Sequence, residues 1–409
     1  MNRFKIFSAA FAVLAVTLAC GIQLSNPEPD VNAIVSQTMA ALTAGAHAPV
    51  ATGTVAPAEP ATLLPRSLYF VNGDAAGLAQ VFRLERDGKT LTQLTFEPAA
   101  VTSFDINQTN GQIVYTSNNQ LLIANADGSG RQMIFDGGIP DVNNPYINSV
   151  YSPAWSPNGQ TIAYGYGGLN LYSVATGVSN LAIPNQLTDA GGGFLFPSEL
   201  YWPGTFSPDG TKLLVSLGYY EGGSSAIYYM ASNSLVRLSG AEGGALICCG
   251  EPDWTADSAA LYSANPSLGM FNSGLWKVDA ATGQVTTLLA AEAGDNLFNF
   301  ADEAFLAPSG QLYYFFATAP LDPATGMMIN PPLQMVRSAP DGVTGRVVVN
   351  IEIFNLMNEA LWSPDASFAL VASAPIDQVY QGGIIEVIYT DGRASVQLLD
   401  FASSLRWGP

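Results

Sequence analysis

Trp155-Ser-Pro-Asn-Gly159 is followed by the apolar run Thr161-Ile-Ala-Tyr-Gly165. Proline fixes its own φ and the Asn-Gly pair accepts positive φ, so the five residues specify a tight turn between two strands. The element recurs as Phe206-Ser-Pro-Asp-Gly210 before TKLLVS and as Trp254-Thr-Ala-Asp-Ser258 before AALYSA. It recurs again as Leu306-Ala-Pro-Ser-Gly310 before QLYYFF and as Trp362-Ser-Pro-Asp-Ala366 before SFALVAS. A degenerate copy is Ile106-Asn-Gln-Thr-Asn-Gly111 before QIVYTS. The anchors 106, 155, 206, 254, 306 and 362 are separated by 49, 51, 48, 52 and 56 residues. Such a spacing fits one four-stranded propeller blade with its loops.

A third strand follows in every unit, for example Leu121-Leu-Ile-Ala124, Ala226-Ile-Tyr-Tyr229 and Leu275-Trp-Lys-Val278. Turns such as Ala175-Thr-Gly177 and Ala281-Thr-Gly283 lead on to a fourth strand, read in QLT, RLS, TTLL and VQLL. The segment 66–95 has the later strands of a blade and no anchor strand. The chain ends in Ser403-Ser-Leu-Arg-Trp407-Gly-Pro409, an anchor strand with nothing after it, and Trp407 lies 45 residues beyond Trp362. These features predict an all-β propeller of seven four-stranded blades, closed by a C-terminal strand that completes the first blade and removes both open sheet edges. Six blades is the competing reading, if the unit at 101–140 merges with a neighbour.

The WSPNG, FSPDG and WSPDA units resemble the WD40-like repeat of the TolB type, over residues 66–409. Similar repeats occur in the propellers of prolyl-oligopeptidase-like enzymes and of oligogalacturonate lyases. The TolB resemblance implies a scaffold at the cell envelope with partners docking on a propeller face. The α/β-hydrolase domain and nucleophile elbow of the peptidases are missing here, as is the His-rich metal site expected of a lyase propeller.

Composition narrows the function. The 409 residues include 14 basic and 33 acidic side chains, a net charge of −19. Charged residues make up 11%, against about 25% in an average soluble domain. A pI near 4.1 opposes nucleic-acid binding, which needs clustered Lys and Arg. The single histidine, His47, lies in a low-complexity linker, so His-rich zinc sites and a Ser-His-Asp triad are not expected.

The N-terminus reads as an address. Arg3 and Lys5 precede a 14-residue stretch of apolar and small residues, Ile6 to Ala19. That is short of the roughly 20 residues of a membrane span and suits a signal peptide. It ends in Thr17-Leu18-Ala19-Cys20-Gly21, which resembles the lipobox of bacterial lipoproteins. The resemblance implies cleavage of residues 1–19 and lipidation of Cys20, palmitate included. Residues 20–65 would be the tether, with a short amphipathic helix over about 30–44 and then an Ala/Pro/Thr-rich linker. The expectation is an exported protein held at the bacterial cell membrane or outer membrane by its lipid alone.

Candidate binding residues gather where innermost strands begin. The residue three before the anchor is Glu251, Glu303 and Glu359 in three successive units, with Asp253 and Asp302 close by. A partial ring of carboxylates at a channel mouth can bind Ca²⁺ or a cationic side chain, or the acids can pair with backbone amides there. Cys248 and Cys249 are adjacent. They form either a vicinal disulfide or two small buried thiols, since neighbouring Cα atoms stand about 3.8 Å apart and disulfides usually need more. Tyr201, Trp202, Tyr219 and Tyr220 are candidate aromatic contacts for a sugar or a protein. The expected function is a non-catalytic scaffold binding an envelope protein or glycan, with no cofactor unless Ca²⁺ binds. The alternative is a glycan-processing enzyme using the mouth carboxylates.

Overall fold

The computed structural model describes residues 62–219, 222–240, 252–268, 272–328, 331–374 and 382–409. All lie in the compact unit that runs from Glu59 to Pro409. Residues 1–19, Cys20, the helix expected over 30–44, and Tyr220, Cys248, Cys249 and Glu251 lie outside the described residues.

The repeated turn explains itself atom by atom. The Ser or Thr hydroxyl donates to the Asn or Asp two residues on: Ser156 to Asn158 (2.8 Å), Ser207 to Asp209 (2.6 Å), Thr255 to Asp257 (2.6 Å) and Ser363 to Asp365 (2.9 Å). The same hydroxyl oxygen accepts the amide five residues later at 2.9 to 3.1 Å, where the next strand starts. The fourth turn position takes positive φ, 67° at Gly159 and 69° at Gly210. Ser258 (φ 60°) and Ala366 (φ 57°) hold the same conformation without glycine's freedom.

Each turn joins antiparallel neighbours. Tyr151–Trp155, Thr161–Gly165, Gly168–Ser173 and Val178–Pro184 form one four-stranded sheet in chain order. The same up-and-down order is repeated along the chain in sheets of four or five strands. Among the described residues there is no α-helix, and one 3-10 turn occurs at Pro145–Ile147. The longest sheet has seven strands, because Val396–Trp407 pairs on one side with Gly383–Tyr389 and on the other with Leu68–Gly73. In the second pairing Leu68 faces Trp407 and Val71 faces Ser403.

The core lies between consecutive sheets. Val114 and Leu121 of one sheet pack with Trp155, Ile162 and Tyr164 of the next. Leu214 and Ile227 meet Trp254 and Trp276 in the same way. Each such fully buried side chain contributes about 1.5–3 kcal/mol. Strands apolar on both faces are therefore expected, and Ile113–Ser117 and Ala260–Asn265 are buried along their whole length.

Two boundaries differ from the sequence reading. Gln186-Leu-Thr188 is not the fourth strand after the Ala175–Gly177 turn. That strand is Val178–Pro184, and Gln186–Asp189 instead pairs with the start of the long strand Leu195–Phe206. The end of the expected linker is also part of the body. Leu63 and Leu64 both donate their amides to the Arg86 carbonyl, at 2.9 and 3.0 Å, and Leu64 is buried in the core.

Candidate functional site

The innermost strands begin with a shared irregularity. Ser152, Glu303 and Ser404, each three residues before its anchor, have φ of 49°, 48° and 56°. A register shift accompanies each of them. These are bulges that re-aim side chains at the start of a strand. Between five of the innermost strands lies a cavity of about 850 Å³. Thr205, Asp253, Glu303, Asn358, Glu359 and Arg406 supply its polar lining, and Trp254, Phe305, Trp362 and Trp407 add ring surface.

The expected ring of acids is brought to this cavity in part. Glu359 accepts the Ser404 amide at 2.7 Å and the Leu405 amide at 2.5 Å. Arg406 Nη1 stands 4.0 Å from the same carboxylate. Glu303 accepts the Ala360 amide at 3.3 Å, and Asp105 accepts the Trp155 amide at 2.6 Å. In every case the acid of one innermost strand takes an amide from the next innermost strand along the chain. The indoles make the return link: Trp254 donates to the Thr205 carbonyl (3.2 Å), Trp362 to Glu303 (2.6 Å) and Trp407 to Trp362 (2.7 Å). These three anchor tryptophans thus act as polar ties as well as core, whereas the buried Trp155 Nε1 has no hydrogen-bond partner. Among the described residues no three His, Cys, Asp or Glu are grouped to hold a metal ion.

Asp302 does not belong to the rim. It is 5% exposed, and its Oδ1 accepts the Glu303 amide at 3.0 Å. Burial pushes its carboxyl well above the usual carboxylate range. The bulge explains the miss, because it turns one member of the Asp302-Glu303 pair inward and the other towards the cavity.

The aromatic candidates separate as well. Tyr201 is not a loop contact. It sits inside Leu195–Phe206, 2% exposed, with its hydroxyl donating to Glu199. Trp202 covers Gly218, where a Cβ would stand 2.4 Å from its ring. Tyr219 is partly exposed, and its hydroxyl donates to Glu199 at 3.0 Å.

Glu199 is the centre of a cluster that the sequence did not suggest. The Arg237 guanidinium donates to both its oxygens, at 2.5 and 2.8 Å. That pairing outweighs burial and holds the Glu199 carboxyl at about 2. A second cluster has the same chemistry. Arg131 donates to Glu97 at 2.6 and 2.9 Å, Tyr115 donates at 2.8 Å, and Glu97 is held below its ordinary range. The partners are 34 and 38 residues apart in sequence, so no local spacing signals them.

No protein-family model matches the chain, and no curated protein does. Solved structures resemble it in fold. A structure from an analysis of two prolyl endopeptidases matches at 11% identity and a TM-score of 0.52, over 84% of this chain and 49% of its own, so this chain spans about half of its length. An oligogalacturonate lyase in complex with manganese matches at 10% identity over 81% of this chain and 84% of its own, with a TM-score of 0.50. TolB from Acinetobacter baumannii is also among them, at 15% identity over 81% and 77% of the two chains, with a TM-score of 0.42. The likeness corrects one expectation. Enzymes share this fold, so the fold does not make the chain a non-enzyme.

Proposed function

We propose that the chain is an exported lipoprotein, anchored through Cys20, whose seven-bladed propeller binds a protein or glycan ligand in its central channel at the cell envelope. Support for seven blades comes from the apolar clusters. Seven of them are found among the described residues, each between consecutive groups of four strands, and one joins Leu370 and Val387 to Leu68 and Phe70. The pairing of Val396–Trp407 with Leu68–Gly73 supports closure by the C-terminal strand.

The observation that carries the binding reading is the cavity of about 850 Å³, within the size range of ligand sites. Its lining mixes indole rings with Asn358, Arg406 and partly exposed carboxylates, a set suited to hydroxyl-rich or peptide ligands. The test is calorimetric titration of the full chain with defined cell-wall glycans and peptides. Thr205→Trp narrows the cavity from an exposed position and leaves the Trp254 bond, which uses the Thr205 carbonyl, in place. A ligand that binds the native chain and loses at least about tenfold in affinity to Thr205→Trp supports the reading. Equal binding to both proteins refutes it.

A second reading is favoured by Asp302. Its carboxyl, which burial pushes up, adjoins the cavity-lining Glu303, and a carboxyl pair at a cavity suits acid/base work on glycans. Product formation from oligosaccharides, abolished in Asp302→Asn, supports it; no turnover by the native chain refutes it.

A further inference from the structure

The two ends of the sheets differ in charge and in exposed apolar surface. In an up-and-down sheet, the first and third connections lie at one end. The second connection and the passage to the next sheet lie at the other. The repeated Ser-Pro-Asp-Gly and Asp-Gly turns share the first end, here called the turn face. Thr109 donates to the Pro157 carbonyl at 3.3 Å, and Asp209 donates its amide to Ser258 at 3.0 Å, linking neighbouring turns there. Lys89, Lys212, Lys277 and Arg393 stand among the turn aspartates, with Lys212 3.3 Å from Asp209 and Arg393 3.5 Å from Asp391.

The opposite end, the loop face, has no such balance. Among the described residues the loops on this face hold no Lys, Arg or His, and they carry Asp74, Asp136, Asp141, Asp189, Asp295 and Asp322. Arg237 and Arg131, the cations that approach these loops, are committed bidentately to Glu199 and Glu97.

On this face the loop 137–150 forms a hydrogen-bonded crest. Asn148 donates to the Ile139 carbonyl at 2.7 Å and accepts the Asp141 amide at 2.8 Å. Asn119 donates to Gly138 and Asn148 carbonyls at 3.0 and 2.9 Å. Asn144 pairs with the neighbouring hairpin, donating to Gly193 at 3.1 Å and accepting the Leu195 amide at 2.8 Å. Ile139 and Val142 nevertheless stand 90% and 91% exposed, with Phe194 of the fastened hairpin also in solvent. Scattered exposed aliphatics are ordinary, but two held at the top of a hydrogen-bonded loop are a prepared apolar surface. Asp136, Asp141 and Asp189 flank it, and backbone amides hold Asp141 below its usual range.

We propose that this crest is a docking site for a basic amphipathic segment of a partner protein. Its aliphatic side chains pack on Ile139, Val142 and Phe194, and its Lys and Arg side chains pair with Asp136, Asp141 and Asp189. Charge complementarity selects this occupant. A second copy would present the same base-free acidic loops, and an anionic lipid surface would be repelled. The inference is independent of the channel reading, since Thr205→Trp leaves the crest untouched.

The test uses the full chain and three labelled peptides of equal length, built from Lys/Leu, Lys/Ser and Glu/Leu. The Lys/Leu peptide is expected to bind at least about tenfold more tightly than either of the others. Ile139→Ser with Val142→Ser should weaken it about tenfold, whereas Val343→Ser, at a half-exposed aliphatic on the turn face, should leave it unchanged. Equal binding of Lys/Ser and Lys/Leu would overturn the proposal, as would unchanged affinity in the crest variant. Association of the crest with itself or with anionic vesicles in preference to the Lys/Leu peptide would also overturn it.

Discussion

The turn face and the loop face are built with the same device and end in opposite electrostatic states. On both, an aspartate side chain accepts an amide two residues on, as Asp391 does from Arg393 and Asp189 does from Gly191. On the turn face such an aspartate can have a cation beside it, as Asp209 and Asp391 do. On the loop face it does not, so its charge stays available to solvent or a partner. A local turn motif therefore shapes the chain equally at both ends, and the placement of a few Lys and Arg side chains decides which end can recruit a cationic ligand. The cavity carboxylates form a third group, since they are largely committed to amides of neighbouring strands.

The largest contrast should come from the cavity. Glu359→Ala strands the Ser404 and Leu405 amides and removes the neighbour of Arg406, which should cost about 2–4 kcal/mol in urea unfolding. Asp391→Ala on the turn face should shift the same transition little, because its partners are exposed. If both variants behave alike, the distinction between cavity acids and turn acids fails.

Gly283→Ala should have the next largest effect. Its φ is 72°, and a Cβ there would stand 2.2 Å from the Arg237 carbonyl of the adjoining sheet, so a loss of about 1–3 kcal/mol is expected. Gly191→Ala, with φ 86° and open space around it, should cost less. Equal midpoints would show that the close approach between sheets contributes nothing.

A smaller effect is a pH dependence on the loop-face side. Glu199 is depressed in the fold to about 2, below its unfolded value. Its pairing therefore stabilises the fold above roughly pH 4.3 and is lost as pH falls towards 2. Arg237→Gln removes the principal cause of that shift. Thermal melting from pH 6 to pH 2.5 should show a shallower acid decline in the variant than in the native chain. Parallel declines would mean that the Glu199 cluster does not set the acid sensitivity.

Much of the fold is legible because the repeated turn is local. Ser-Pro-Asp-Gly carries its own hydrogen bonds, so each strand pair is encoded within about a dozen residues, and the anchors keep their period. Trp407 in register with Trp362 likewise suggests the second pairing of the last strand. The hairpin of Gln186–Asp189 on Leu195–Glu199 is less legible, since a short polar strand pairs equally well with either neighbour. The site is harder still. The spacing of Glu303 and Glu359 shows where they stand, but their acceptance of amides depends on bulges that no residue type announces. The loop-face charge pattern was present in the sequence from the start. It becomes visible only when the topology sorts the loops into two ends, because runs without Lys or Arg carry no motif.

Amide hydrogen exchange of the full chain, with and without saturating Lys/Leu peptide, tests most directly that the loop face is a recognition surface. The account predicts added protection across 138–148 and 190–195, with the turns at 87–90, 127–130 and 391–393 unchanged. Protection confined to those turns, or no change anywhere in the loops at saturation, would contradict it.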